Sequence, residues 1–534
     1  MKQKQVKLPA VANPNSLLPL VLVFLLTAIP LLVGFWRFPK FLGDEGIYVS
    51  QAWWWTHFKE MGPYTYWYDH FPLGWLQIGL WQKLTGGPFA FGFSLFSGRL
   101  FMILVSSLSS VFLFKLIHNV TKSVFIALFG VVVFAFSPLA VLFHRQVLLD
   151  NLASFWLLVS LFVFLREPSK GKNVFLGSVF LAAAVLSKES LLFVVPPFLY
   201  MVHVLNSKVN RRYQTLLALV TTGFLLSLFP LLAFLKGEFL PGGEHVSFVE
   251  TLFFQVKRGS GLLFWKEGSD LCQKLDFWLQ IDPWLIGAGF GALVLNLLFQ
   301  HKNKVVIGLA LMSVFFTFFL IRGGTILDFY IIPLLPLLVL QICFLIHLLT
   351  FEARVNGFIK KHPLSWFLPL AVLTMFWLKE GEFLYLENAT ANQLQALESL
   401  QSIQDKQAVI VADNFVFLDL RIDKNNKVLF PNVEWYSKTE YDQEIRDGKL
   451  QNDPNTVDYL LINSTMGDEI ESGQLTFLKE VKGTMIKEQE YRFHSSSKNP
   501  LLKRSTYLAE DLVLYINPTL ESETHRGFDS LIQE

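Results

Sequence analysis

Long apolar runs alternate with short polar segments through residues 1–378. A helix needs about 20 consecutive apolar residues to cross the hydrocarbon core of a bilayer. Runs that reach or approach this length lie at 17–37, 97–117, 123–143, 150–165, 174–190, 191–205, 213–235, 284–299, 305–321, 327–349 and 364–378. The pattern predicts a polytopic α-helical membrane protein with about eleven transmembrane helices.

Lysine and arginine are concentrated in every second connection between these runs. Such an excess is typical of cytoplasmic loops, because basic segments are retained on that side of the membrane. The basic positions are Lys2, Lys4, Lys7, Lys122, Arg166, Lys170, Lys172, Lys208, Arg211, Arg212, Lys302, Lys304, Arg354, Lys360 and Lys361. The alternation predicts a cytoplasmic N-terminus and, with an odd number of spans, an extracytoplasmic C-terminal end. We expect the plasma (inner) membrane as the location.

Two outer loops are long, at 38–96 and 236–283, and the first is rich in tryptophan and tyrosine. These residues are favoured at the membrane interface, so short surface helices are predicted near 47–60 and 73–84. After residue 378 polar residues increase, and short β-rich runs, at 408–412, 457–463 and 512–517, alternate with helix-like stretches. The sequence therefore predicts a transmembrane domain, 1–378, followed by a small extracytoplasmic α/β domain, 379–534.

Composition and charge narrow the class of protein. A hydrophobic content of 52%, 53 phenylalanines and a mean hydropathy of +0.43 do not suit a soluble enzyme. The net charge of +2 gives no reason to expect a nucleic-acid partner. The two cysteines, Cys272 and Cys343, suggest neither a disulfide framework nor a thiolate metal site.

The residues that could carry chemistry stand at the predicted outer ends of the spans. The adjacent acids Asp44 and Glu45 follow the first run, and one of them could act as a base. They could equally be solvated acids at the start of a helix. His70, Arg99 and Asp150 likewise have structural explanations when taken singly, as interfacial side chains or a helix cap. Together these groups indicate a site at one face of the membrane.

The order of these motifs resembles that of the dolichyl-phosphate-mannose protein O-mannosyltransferase family and its bacterial relatives, which include the lipid A aminoarabinose transferases. The resemblance covers about residues 17–350. Its motifs are Asp44-Glu45, Asp69-His70-Phe71-Pro72-Leu73-Gly74-Trp75, Gly98-Arg99-Leu100, Arg145 to Asp150, Ser187-Lys188-Glu189, and Arg322 with Tyr330 to Pro336. Phe71 departs from the family pattern, which usually has proline there.

The resemblance implies a GT-C fold and inverting transfer of a sugar from a polyprenyl-phosphate-linked donor on the non-cytoplasmic side. It implies that Asp44 is the catalytic base, assisted by Glu45 and Asp150. It also implies that Tyr330 belongs to a late-span motif, and it supplies candidates for binding the phosphate of the donor. The phosphate candidates are His70, Arg99, Arg145, Lys188 and Arg322.

Several assignments stay open at this point. A divalent metal ion could bind among Asp44, Glu45, His70 and Asp150, but no tight ligand spacing indicates one, so none is assigned. The acceptor could be a lipid, a glycan or a protein, and membrane lipid is a further expected partner. The alternative functions are a transporter or flippase of lipid-linked sugar precursors and a non-catalytic membrane scaffold. Transporters often contain paired repeats and broken helices, and the sequence shows neither.

Overall fold

The first part of the chain is an assembly of apolar helices. The computed structural model describes residues 16–60, 62, 68–242, 246–258, 266, 268–352, 367–497 and 499–520. The predicted basic positions at Lys2, Lys4, Lys7, Arg354, Lys360 and Lys361 lie outside these residues. The helices are α1 Leu17–Leu32, α2 Gly43–Phe58, α3 Leu73–Thr85, α4 Ser94–Thr121, α5 Val124–Phe136, α6 Pro138–His144, α7 Leu149–Arg166, α8 Gly171–Ser187, α9 Val195–Leu205, α10 Arg211–Leu235, α11 Phe248–Lys257, α12 Asp270–Ile281, α13 Pro283–Phe299, α14 Lys304–Ile321, α15 Leu334–Glu352 and α16 Phe367–Glu380. Two 3₁₀ turns, Glu189–Val194 and Asp328–Ile331, precede α9 and α15.

Each of the eleven predicted runs coincides with an apolar helix or a bent helix pair. Within the described residues, five helices are long and apolar enough to span a membrane alone, and two bent pairs raise the number to as many as seven. Three further apolar helices are shorter, among them α1 and α8. The predicted fold class, a polytopic α-helical membrane protein, is confirmed.

Proline breaks one of the predicted runs and starts the helix of another. The run at 123–143 is a pair of helices, α5 and α6, bent by 63° where Pro138 starts the second helix. Similarly, α12 and α13 meet at 112° where Pro283 begins α13. Proline has no backbone N–H and fits the first turn of a helix but not its interior, which explains both breaks.

The described basic loops lie close together at one end of the bundle. Asn119, at the end of α4, donates a hydrogen bond to the Leu165 carbonyl at 3.0 Å. Asn206 donates to the Pro168 carbonyl at 3.0 Å, and Lys304 donates to the Val204 carbonyl at 3.0 Å. The loops predicted to be cytoplasmic therefore share one end, while the first turns of α4 and α7 lie at the other.

The predicted surface helices of the first outer loop are present as α2 and α3. Gln82 of α3 donates to the Val49 carbonyl of α2 at 3.1 Å, and Gly79 lies so close to Ala52 that an added Cβ would be 2.9 Å from its carbonyl oxygen. The two helices therefore pack directly against each other.

The C-terminal region (residues 379–534) contains a small α/β fold, as predicted. Its strands are β1 Ile410–Ala412, β2 Val433–Trp435, β3 Tyr459–Asn463, β4 Ile486–Tyr491 and β5 Leu512–Ile516, in the order β2-β1-β3-β5-β4. β1 is parallel to β2 and β3, whereas β5 is antiparallel to β3 and β4, with Leu460 opposite Tyr515. The helices are α17 Phe383–Leu386, α18 Ala391–Gln401, α19 Asn414–Arg421, α20 Tyr436–Tyr441, α21 Ser464–Glu471, α22 Thr476–Thr484 and α23 Leu501–Arg504.

The C-terminal region packs tightly on the first outer loop. The Lys40 ammonium and the Glu510 carboxylate form a buried ion pair at 2.7 Å. Gln393 accepts a hydrogen bond from the Phe41 N–H at 2.7 Å and donates one to the Phe41 carbonyl at 3.0 Å. A single hydrophobic core runs through both parts of the chain. The loop that carries Asp44 is therefore held between the membrane helices and the C-terminal region.

Candidate active site

A cavity of about 840 Å³ lies where the first outer loop meets the C-terminal region. Its membrane-side wall includes Asp44, His70 and Tyr330, which are three of the predicted site residues. The remaining walls come from the second outer loop and from the C-terminal region. They include Gln255, Arg258, Lys274, Asp413, Asn414, Tyr436 and Glu469. The volume lies within the range of about 300–1,000 Å³ that is typical of small-molecule sites.

Asp44 stands in the first turn of α2, which begins at Gly43. The helix end is capped by the neighbouring acid, because Glu45 accepts a hydrogen bond from the Leu42 N–H at 3.2 Å. Burial raises the pKa of the Asp44 carboxyl above its usual value, while the positive charges of Lys188 and Arg258 oppose that rise. A carboxylate with a raised pKa is a stronger proton acceptor, as general-base catalysis requires.

Glu45 points away from the cavity and pairs with Arg99. The closest contact, between Arg99 Nη2 and Glu45 Oε1, is 2.6 Å, and neither side chain is exposed to solvent. The other four N–H groups of Arg99 donate to Glu45 Oε2 and to the carbonyls of Phe35, Pro39 and Lys40, at 2.9–3.0 Å. A guanidinium has five N–H donors, and all five are used here. Arg99 therefore has no free N–H group with which to form the expected contact with the phosphate of the sugar donor.

Arg145 is also buried inside the protein. Its guanidinium donates to five backbone carbonyls, those of Pro30, Leu31, Val33, Phe38 and Leu384. These contacts join the end of α1 to the beginning of the C-terminal region. The structure does not bring Arg145 to the cavity, so the geometry favours a structural role over the predicted phosphate contact.

Lys188 lies one layer beneath the cavity wall. It is placed there by a break in the chain between α8 and the following 3₁₀ turn, earlier than the predicted boundary at residue 190. Its side chain is 1% exposed. The ammonium is 3.4 Å from His70 Nε2, 3.7 Å from a Glu189 carboxylate oxygen and 5.3 Å from the ring centre of Tyr330. Its charge thus reaches the cavity through His70 and Tyr330.

His70 connects this cation to the cavity. Its Nδ1 lies 3.1 Å from Glu189, and its Nε2 lies 3.3 Å from the Tyr48 hydroxyl. The Lys188 ammonium can only donate, so Nε2 accepts in that contact and Nδ1 carries the proton that is donated to Glu189. The four side chains form one polar network at the membrane-side wall, in which Tyr48 and Lys188 are buried and His70 and Glu189 are partly exposed.

Asp150 and Arg322 lie outside the cavity lining. Asp150 is fully buried in the first turn of α7, and neither carboxylate oxygen has a hydrogen-bonding partner among the described residues. Arg322 donates to the Phe319 carbonyl at 2.6 Å and stacks over the Phe319 ring at 4.0 Å. The structure therefore brings together Asp44, His70, Lys188 and Tyr330, and it turns Glu45, Arg99 and Arg145 away from them. Asp150 and Arg322 do not line the cavity, but Asp150 interacts electrostatically with Lys188 and Arg322 with Tyr330.

No metal ligands are assigned. Within the part of the chain that the structure describes, no three His, Cys, Asp or Glu side chains gather in a way that could hold a metal ion. The four candidate ligands are divided, since Glu45 faces Arg99 whereas Asp44 and His70 face the cavity.

Several cavity residues were not predicted from the sequence. Asp69 accepts a hydrogen bond from Gln255 at 2.9 Å, and Lys274 pairs with Asp328 at 2.9 Å. Asp69 stands beside His70 in a recognisable motif, so its position was a usable signal. Arg258 and the whole C-terminal wall carry no motif, and only the fold places them beside Asp44.

Known proteins share both sequence and fold features with this chain. Residues 84–234 match the family model described as dolichyl-phosphate-mannose-protein mannosyltransferase. No curated protein sequence shows a significant match. The structure is similar to that of ArnT from Cupriavidus metallidurans bound to undecaprenyl phosphate, with a TM-score of 0.56 and 13% identity over 93% of this chain and 98% of that chain. It is also similar to the Archaeoglobus fulgidus oligosaccharyltransferase tethered with an acceptor peptide, with a TM-score of 0.54 and 11% identity over 90% of this chain and 74% of that chain.

A third similar structure is the Archaeoglobus fulgidus oligosaccharyltransferase AglB in complex with an inhibitory peptide and a dolichol-phosphate. Its TM-score is 0.52 at 10% identity, over 90% of this chain and 74% of that chain. The predicted resemblance and the GT-C fold are confirmed by these matches. The matched structures show the fold, and the family-model match covers residues 84–234.

Proposed function

We propose that this membrane protein of the GT-C fold transfers a sugar, with inversion, from a polyprenyl-phosphate-linked donor to an acceptor on the non-cytoplasmic face of the membrane. One observation carries the proposal: Asp44 lines the same cavity as His70, with the Lys188 ammonium 3.4 Å behind that imidazole. A proton acceptor and positive charge are thus adjacent at one end of the bundle, as transfer from a phosphate leaving group requires.

In the proposed step, Asp44 takes the proton of an acceptor hydroxyl as that oxygen attacks the anomeric carbon. The bond between the anomeric carbon and the phosphate oxygen breaks, and its electron pair leaves with the polyprenyl phosphate. Attack opposite the leaving group inverts the anomeric configuration. The transferred group is a hexosyl or pentosyl unit.

The donor phosphate is proposed to bind near His70 and Lys188. Fixed positive charge in a site with little water stabilises the charge that develops on the leaving phosphate. Arg258, at the cavity edge, is a further candidate because its charge acts on Asp44. That the similar ArnT structure was solved with undecaprenyl phosphate supports a polyprenyl-phosphate donor.

The orientation is part of the same proposal. The described basic loops gather at the end of the bundle away from the first turns of α4 and α7, and basic loops remain in the cytoplasm. This supports a cytoplasmic N-terminus, an extracytoplasmic domain over residues 379–534 and catalysis outside the plasma (inner) membrane.

The deciding experiment is single-turnover transfer by purified protein in nanodiscs, with undecaprenyl-phosphate-linked hexoses and pentoses as donors. Asp44→Asn keeps the size of the side chain and removes the proton acceptor, so the rate should fall by about a hundredfold to ten-thousandfold. Donor affinity and thermal stability should stay near those of wild type.

Asp270→Asn is the matched control. Asp270 is also an acid in the first turn of a helix, α12, but it does not line the cavity. The transfer rate of Asp270→Asn should equal that of wild type. Near-normal turnover by Asp44→Asn would remove Asp44 as the base. Wild-type protein that neither binds nor turns over any of these donors would reject the glycosyltransferase proposal and leave the transporter and scaffold alternatives.

A further inference from the structure

The two walls of the cavity differ in charge. On the membrane side, the Lys188 ammonium behind His70 supplies positive charge beside Asp44. On the opposite side, the C-terminal region contributes Asp413, Asn414 and the ring of Tyr436. It also contributes Glu469, which forms a side-chain hydrogen bond with the Tyr436 hydroxyl. A phosphate-bearing ligand fits the first wall and is repelled by the second.

The C-terminal wall is in direct contact with the turn that carries Asp44. A Cβ added at Gly46 would lie 2.0 Å from the Asn414 carbonyl oxygen, and one added at Gly43 would lie 2.7 Å from a carboxylate oxygen of Asp413. The two glycines on either side of Asp44 and Glu45 therefore allow the start of α19 to reach α2. A molecule that presents a hydroxyl to Asp44 must lie beside Asn414.

Polar groups without partners mark both walls of this space. Asn414 lines the cavity and is only 5% exposed, yet its carboxamide oxygen has no hydrogen-bonding partner among the described residues. Across the cavity, the indole N–H of Trp75 is likewise buried without a partner in the described part of the chain. Buried polar groups are normally satisfied, so an exception that lines a cavity is a group that a ligand in the cavity can satisfy. Rotation of the Asn414 carboxamide can offer either an acceptor or two donors.

We propose that the acceptor is an uncharged, hydroxyl-rich molecule, a glycan, whose hydroxyl groups are held by Asn414, Tyr436 and Glu469 while one of them is presented to Asp44. This inference rests on the glycosyltransferase function proposed above. Carboxylates and a carboxamide accept hydrogen bonds from hydroxyls, the carboxamide also donates, and an aromatic ring such as that of Tyr436 offers an apolar face with a polar edge.

The remaining charges of the cavity disfavour an anionic acceptor. Its lysines are already engaged, since Lys40 pairs with Glu510, Lys274 with Asp328 and Lys438 with Asp442. Arg258 is the cation expected to serve the donor. An acceptor phosphate would therefore meet the carboxylates of Asp413 and Glu469 without an available lysine beside them.

The test measures binding of three probes to the full-length protein in nanodiscs containing undecaprenyl phosphate. The probes are neutral trisaccharides, the same trisaccharides carrying a phosphate group, and a serine- and threonine-containing octapeptide. Their binding is followed by saturation-transfer NMR. The neutral trisaccharides should bind, and Asn414→Leu should weaken their binding at least tenfold. Tyr436→Phe removes one hydroxyl, releases Glu469 and should weaken binding severalfold without a large change in packing.

Undecaprenyl phosphate affinity separates this inference from the proposed function. It should be unchanged in both variants, because their side chains lie on the wall opposite His70. Asn425→Leu, an exposed asparagine of the same region, is the matched control and should bind the trisaccharides as wild type does. Any of four results would overturn the inference: tighter binding of the phosphorylated probe, binding of the peptide alone, no binding of any probe, or unchanged trisaccharide binding in both variants. If the wild-type protein did not bind undecaprenyl phosphate, that result would count against the proposed function.

Discussion

Replacement of Arg99 should destabilise the fold and leave donor binding intact. The sequence resemblance implies the opposite, namely that Arg99 contacts the phosphate of the donor. The structure gives the guanidinium no exposure to solvent, an ion pair with Glu45 at 2.6 Å and four further hydrogen bonds. Arg99→Ala would leave the Glu45 carboxylate buried without its counter-ion.

The expected magnitude follows from those contacts. Removing one partner of a buried ion pair typically destabilises a protein by about 3–5 kcal/mol, because the other charge is left uncompensated. Arg99→Lys restores the charge but offers three donors in place of five, so it should lose about half as much. Arg37, an exposed arginine shortly after α1, is the matched control, and Arg37→Ala should change stability by no more than about 0.5 kcal/mol.

The assay combines thermal unfolding in nanodiscs, followed by tryptophan fluorescence, with undecaprenyl phosphate affinity measured well below the unfolding midpoint. The midpoints should fall in the order wild type and Arg37→Ala, then Arg99→Lys, then Arg99→Ala. Affinity for undecaprenyl phosphate should stay within twofold in all four proteins. A normal midpoint together with a tenfold loss of affinity in Arg99→Ala would refute this reasoning and return Arg99 to the donor site.

The tight contacts and buried acids of the outer face make further predictions. Gly46→Ala should lower the thermal midpoint by several degrees, because its methyl group would lie 2.0 Å from the Asn414 carbonyl oxygen, whereas Gly483→Ala has open space and should be neutral or stabilising. Burial raises the pKa of Asp419 from 3.8 to about 7, so its stabilising contribution is complete below about pH 4 and is lost as the pH rises through 7. The wild-type midpoint should fall between pH 5 and 8 more than that of Asp419→Asn, and equal declines would contradict the assignment. Cys272 is exposed in the second outer loop, so an impermeant maleimide should label wild type, but not Cys272→Ser, in intact cells; labelling only after lysis would reverse the topology.

The membrane helices and the C-terminal strands were predictable because each depends on consecutive residues. An apolar run long enough for a bilayer has few alternatives to a helix, since every backbone N–H and C=O must be satisfied without water. The short β-rich runs near 408–412, 457–463 and 512–517 likewise correspond to β1, β3 and β5. The helix break at Pro138, inside the predicted run 123–143, was missed because hydropathy averages over a single proline, whereas the predicted run 284–299 begins directly after Pro283.

The candidate site was predicted only in part. Asp44 and His70, which both belong to the motifs, line one cavity, but the motifs could not distinguish a cation that faces a ligand from one that holds the fold together. Arg99 and Lys188 are both buried basic residues at the outer ends of apolar runs. Arg99 uses all five of its N–H groups on internal partners, whereas Lys188 lies behind the cavity wall against His70.

By itself, the sequence determined the apolar spans, the alternation of basic loops and the acid that follows the first span, because these are properties of neighbouring residues. The tertiary structure decided which charges face the cavity and what forms its second wall. Gly46 and Asn414 are far apart along the chain and meet only because α19 folds back onto α2. No local pattern records such a contact, since it depends on how the C-terminal region packs as a whole against the membrane helices.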